Sequence, residues 1–214
     1  MSGLTRWWWV RHAPVVNGDG MIYGSSDIEC DVSDTAHFKA LARVLPSDAV
    51  WFTSHLSRTI KTAQAISLAG AETGLDFPEP IIEEDLGEQN FGDWQGLSWD
   101  KMMEADPETY KVYWSDPTRN RPPGGESFAD QIARTGAVID RLGEQHKGRD
   151  IVAVAHGGTI RSAMAVALKL EPEQGMAIRI DTLSTTILEN VEDGLLRGRG
   201  GVWRVVGVNR VVTE

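Results

Sequence analysis

Along the chain, short apolar runs alternate with stretches whose apolar residues recur at helical spacing. "RWWWVRH" (6–12), "DAVWFTS" (48–54) and "DIVAVAH" (150–156) are too short for helices and rich in aromatic and β-branched residues, so they predict strands. "EPIIEED" (79–85) predicts a weaker one. Between them, "SDTAHFKALARVL" (33–45) sets Phe38, Leu41 and Leu45 on one face behind Ser33 or Asp34 as N-cap. "SRTIKTAQAISLAG" (57–70) places Ile60, Ala63 and Ile66 or Ser67 around a helix stopped at Gly70. A longer amphipathic helix runs from "GESFADQIAR" to near Gly148, and "GGTIRSAMAVALKL" (157–170) predicts another, with Pro172 as its stop. The tail segments "LSTTILENV" and "GGVWRVVGVNRVV" alternate enough for a hairpin or antiparallel edge, turning in "EDGLLRGRGG". Together these elements predict a three-layer α/β/α sandwich, its central sheet mostly parallel and covered by helices on both faces.

No internal repeat and no Pro/Ser-rich linker interrupts this pattern, so residues 1–214 are expected to form one domain. The short helices "SWDKMMEAD" and "PETYKVYWS" and the turn-rich "SDPTRNRPPGGES" break the alternation, and a cap is expected around residues 93–128. Composition changes little, with 41% hydrophobic and 24% charged residues as in ordinary globular chains. The single cysteine, Cys30, excludes an intrachain disulfide framework and a multi-cysteine metal site. The apolar run near the N-terminus is too short to span a membrane and lacks a signal-peptide pattern, so the cytoplasm is the default expectation. A net charge of −10 argues against nucleic-acid or anionic-membrane partners, so any anionic ligand must meet a local cluster of positive groups. An exposed edge in the C-terminal strands leaves pairing with a second subunit, and hence a homodimer, open.

The charge requirement directs attention to the strand ends. Two strands end in histidine, His12 and His156, and if they lie side by side in parallel both imidazoles emerge at one edge of the sheet. Gly157, Gly158 and Thr159 open a helix beside His156, where free backbone N–H groups and the positive end of the dipole favour an anion. Arg11 adjoins His12, and Arg58 begins the helix after the second strand. Two guanidinium forks converging on one point form a phosphate clamp. Cleaving a phosphate ester further requires a proton donor for the departing oxygen. Glu83, Glu84, Asp85, Glu88 and Asp93 are candidates, and a carboxyl beside Phe91 and Trp94 would be held partly out of water. Residue chemistry alone does not choose among them.

Five segments in sequence order resemble the histidine phosphatase superfamily, which includes the cofactor-dependent phosphoglycerate mutases. They are "VRHAPVVNGDGMIYGSSD", "TSHLSRTIKTA", "LGEQNFGDWQG", "PPGGESFADQIAR" and "VAVAHGGTIR". The resemblance implies that His12 is a nucleophile forming a phosphohistidine, with Arg11, Arg58, His156 and the Gly157 backbone holding phosphoryl oxygens. Through Leu86, Glu88, Phe91, Gly92, Trp94 and Gly96 it also implies Glu88 as the acid, with Glu84 in reserve. A phosphate contact from Asn17 is carried over as well, although the loop from His12 to Gly24 is one residue shorter than in the mutases. Ala13 and Pro14 stand where the family usually has Gly and often Glu, and His55 where it often has Pro. The chain has no HExxH, no Cys/His cluster and no Walker-type loop, so neither metal nor cofactor is expected.

The "GGES" turn and the short segment before the second histidine are similar to the phosphatase branch, including α-ribazole phosphatases. A metal-independent phosphomonoester hydrolase acting on a small molecule is therefore expected. Arg119 and Arg121 keep open a mutase, in which they would bind a carboxylate or second phosphate. A catalytically silent relative that binds phosphorylated ligands is the third reading; it would have no use for Glu88.

Overall fold

A computed structural model of the chain describes residues 3–16, 20–192, 194–195 and 202–212. Its sheet has six strands in the order β3-β2-β4-β1-β5-β6, where β1 is Leu4–Arg11, β2 Val50–Thr53, β3 Ile81–Ile82, β4 Asp150–Ala155, β5 Thr185–Val191 and β6 Trp203–Arg210. The first four run parallel and the last two antiparallel, so the expected tail hairpin is present and extends the sheet from β1 outward. Much of its turn lies outside the described residues.

Helices α1 (Thr35–Val44) and α2 (Ser57–Ala71) cover one face, burying Phe38, Leu41 and Ile66 against Val10, Trp51, Val152 and Val154. Helices α5 (Phe128–Gln145) and α6 (Gly157–Leu168) cover the other, where Val138, Leu142 and Ile160 meet Trp7, Trp9 and Ile151. Asp34, rather than Ser33, caps α1 by accepting the His37 N–H, and Ser127 and Asp130 close a reciprocal capping box on α5. The short helices α3 (Trp99–Ala105) and α4 (Pro107–Ser115) bury Met102 and Tyr113 around Trp94 and Ile22 in a separate small core. Trp94 and Met102 are therefore packing residues.

Pro172 requires a correction. Helix α6 ends at Leu168, where Lys169 adopts a left-handed φ of 53°, and Pro172 opens a further short helix, α7 (Pro172–Met176). Proline suits the first turn of a helix because its missing N–H has no partner there, so it starts an element as readily as it follows one.

The three tryptophans divide by the two-residue period of β1. Trp7 and Trp9 share a face and stack with centroids 5.1 Å apart, both buried under α5 and α6. Trp8 faces the other way, donating its indole N–H to Asp150 at 2.8 Å beneath the Arg6 guanidinium.

Candidate active site

Register places the two histidines. Strands β1 and β4 are parallel neighbours, with Arg11 opposite Ala155, so the residues that follow leave the sheet together. The rings of His12 and His156 lie with centroids 5.1 Å apart, and both are buried.

Hydrogen bonds fix the state of each ring. His12 Nδ1 lies 2.7 Å from the Ala13 carbonyl, which can only accept, so Nδ1 carries the proton and Nε2 the lone pair. That Nε2 is buried and has no partner among the described residues. Burial first, then the Arg58 and Arg11 charges, lower the His12 pKa from 6.5 to about 3, so the ring is neutral at any ordinary pH. His156 Nδ1 accepts from Arg58 Nε at 3.2 Å, which leaves the proton on Nε2, donated to Ser54 Oγ at 2.8 Å. Ser54 in turn contacts Thr59 Oγ1, and Thr59 donates to the Leu56 carbonyl. Complete burial, then His12 and Arg58, hold the His156 pKa well below its ordinary value.

Arg58 sits in the first turn of α2, fully buried, its outer nitrogens bonded to the Ser26 and Gly24 carbonyls at 2.7 Å each and its guanidinium over the Tyr23 ring. Three of its five N–H groups are used among the described residues. Arg11 donates to the Ile180 carbonyl at 2.5 Å and lies against Gly157 at the start of α6; its buried Nε has no partner among the described residues. An N–H donor and a ring nitrogen, both buried and unpartnered among the described residues, thus come from adjacent residues close to the Arg58 guanidinium.

Of the five candidate carboxyls, Glu88 reaches this cluster. Its Oε2 accepts the Gly158 N–H at 3.2 Å, and its Oε1 accepts the Gln89 N–H at 3.0 Å and Gln131 Nε2 at 3.1 Å. Glu83 is instead paired with Arg141, while Asp85 and Asp93 are exposed. Glu84, exposed, lines with Ser25, His55, Glu88 and Glu126 an open cleft of about 440 Å³. Arg119 is ion-paired with Asp116, Glu171 and Glu173, and Arg121 with Asp130, so both bind carboxylates of the chain itself. Asn17 lies outside the described residues.

Sequence reading missed Ser54, Thr59, Gln131 and Arg161. Arg161 stands one turn after Gly157 on α6, donates to the Ile178 carbonyl at 2.7 Å and lies within the electrostatic reach of Glu88 and Arg11. The four-residue spacing from Gly157 was a legible signal for it.

The sequence profile of the histidine phosphatase superfamily (branch 1) matches residues 7–197, and the chain belongs to that family. It is 33% identical over 158 residues to phosphoglycerate mutase-like protein 4 of Arabidopsis thaliana, covering 72% of this chain and 66% of that one. It is 31% identical to a metal-independent phosphoserine phosphatase of the same plant, covering 72% and 64%. The chain thus spans just under two thirds of these relatives. The crystal structure of the α-ribazole phosphatase from Shigella flexneri superposes with a TM-score of 0.78 at 23% identity, covering 98% of each chain, which shows the shared fold. No helix among the described residues is long and apolar enough to cross a membrane.

Proposed function

We propose that this protein hydrolyses small-molecule phosphomonoesters through a phosphohistidine on His12, without a metal or cofactor. The observation that carries this reading is the state of His12: proton held on Nδ1, lone pair on an unpartnered, buried Nε2. Arg11, Arg58, His156 and the Gly157 N–H gather the phosphoryl oxygens and offset the charge that builds on them. Nε2 attacks phosphorus, forming the N–P bond as the ester P–O bond breaks, and Glu88 gives its proton to the departing alcohol oxygen. Glu88, now ionised, takes a proton from water as the water oxygen bonds to phosphorus and the N–P bond breaks. The cycle returns His12 neutral and Glu88 protonated.

Hydrolysis is favoured over mutase chemistry because Arg119 and Arg121 are occupied by chain carboxylates. The similarity to a phosphoserine phosphatase points the same way. A panel of phosphomonoesters assayed for free phosphate with excess chelator should show turnover, and phosphoglycerates primed with bisphosphoglycerate should not equilibrate. Equilibration with little phosphate release would instead establish a mutase. A thermal shift with vanadate but no turnover on any ester would establish a silent binder.

A further inference from the structure

Gln131 stands in the buried stripe of α5, aligned with Phe128, Thr135, Val138 and Leu142. It is fully buried, and its amide oxygen has no partner among the described residues. A buried acceptor left unpaired is costly, and a leucine at this position would avoid that cost, so packing gives no reason for an amide here. The other end of the amide supplies one. Nε2 reaches Glu88 Oε1 at 3.1 Å and Thr159 Oγ1 at 3.4 Å. Thr159 donates its own hydrogen to the Gly87 carbonyl at 3.0 Å, so it meets Gln131 as an acceptor. Both neighbours demand N–H, and the amide orientation is thereby fixed.

The lone pairs of the carboxylate can then be counted. Each oxygen has two acceptor sites. Among the described residues Oε1 fills both, with the Gln89 N–H and the Gln131 N–H, whereas Oε2 accepts the Gly158 N–H alone. We propose that Gln131 is a positioning residue that confines the Glu88 proton to Oε2, the oxygen with a free site, so that the acid presents its proton in one direction. The other groups facing Glu88 do not discriminate in this way. Arg58 from α2 and Arg161 from α6 act on it through space. Arg134 and His55 contact Gly87, and Arg134 is held by Glu126. This inference rests on Glu88 being the general acid.

The test compares leaving groups. Glycerol phosphate releases an alkoxide that must be protonated, whereas p-nitrophenyl phosphate releases a phenolate that leaves unaided. Gln131→Met and Gln131→Leu both suit an apolar stripe and remove the donor. Each should lower kcat/KM for glycerol phosphate about tenfold, a modest part of what a general acid contributes, and change that for p-nitrophenyl phosphate less than about twofold. Added to Glu88→Gln, either change should cost glycerol phosphate turnover nothing more. Equal losses on both substrates, no loss on either, or a further loss in the double variant would overturn the role of Gln131. If Glu88→Gln alone leaves the ratio between the two substrates unchanged, it is the assignment of the acid that fails.

Discussion

His12 is buried as a neutral imidazole close to two guanidinium groups, and this has a consequence for stability as well as reactivity. In the unfolded chain its imidazole takes up a proton near pH 6.5; in the folded protein burial and the Arg58 charge delay this to about 3. Between those values the unfolded state binds more protons, so stability is full above pH 6.5 and falls as the pH drops toward 3. His156 acts in the same direction. A tenfold difference in proton affinity between the two states is worth about 1.4 kcal/mol, so the loss across the window amounts to a few kcal/mol. Urea unfolding midpoints measured from pH 7 to pH 4 should fall more steeply for the wild type than for His12→Asn, and parallel curves would contradict the burial account.

At the scale of elements, the start of α6 joins His156, its N-cap residue, to Glu88, which accepts the Gly158 N–H. A methyl group on Gly158 would overlap the Glu88 carboxylate and the Gln131 amide, both the ends of side chains. Gly158→Ala would displace both, so it should lower turnover of alkyl phosphates at least about tenfold, and unchanged turnover would contradict this placement of Glu88. Gly92 is a different case, since its φ of +54° and the Pro123 carbonyl facing it leave no room for a side chain. Gly92→Ala should therefore lower Tm, and an unchanged melting curve would contradict this reading of the turn. The elements that carry the histidines were legible because each is an apolar run ending in a polar residue at a glycine- or proline-bearing turn. Gln131 was less so: it reads as one polar position in an amphipathic helix, and its meaning depends on Glu88, 43 residues away in sequence. Ser54 and Thr59 were hidden for the same reason: Ser54 meets His156, 102 residues away in sequence, and Thr59 meets Ser54.

Across the whole molecule, β1 lies inside the sheet between β4 and β5, and the stacked Trp7 and Trp9 pin it to the α5/α6 layer. His12 therefore follows a strand held on both edges and covered on both faces, by α5 and α6 over Trp7 and Trp9 and by α1 and α2 over Val10. Trp9→Ala should destabilise the protein by about 3 to 5 kcal/mol, read from denaturant unfolding, as expected for a large buried aromatic. Fold class followed from pattern because parallel strands buried on both faces leave few alternatives, whereas the adjacency of the two histidine strands entered only as a condition, which the pairing of β1 with β4 meets. The identity of the substrate did not follow, because the cleft beside Glu88 is assembled from residues 25, 55, 84, 87, 88, 90, 124–126 and 134, which no single segment announces. The central claim is that phosphate passes through His12. Brief reaction with a labelled phosphomonoester, an alkaline quench and peptide mapping should place an acid-labile phosphoryl group on His12 of the wild type and none on His12→Ala. A wild type that turns over without ever carrying label, or a His12→Ala variant that still carries it, would contradict the account.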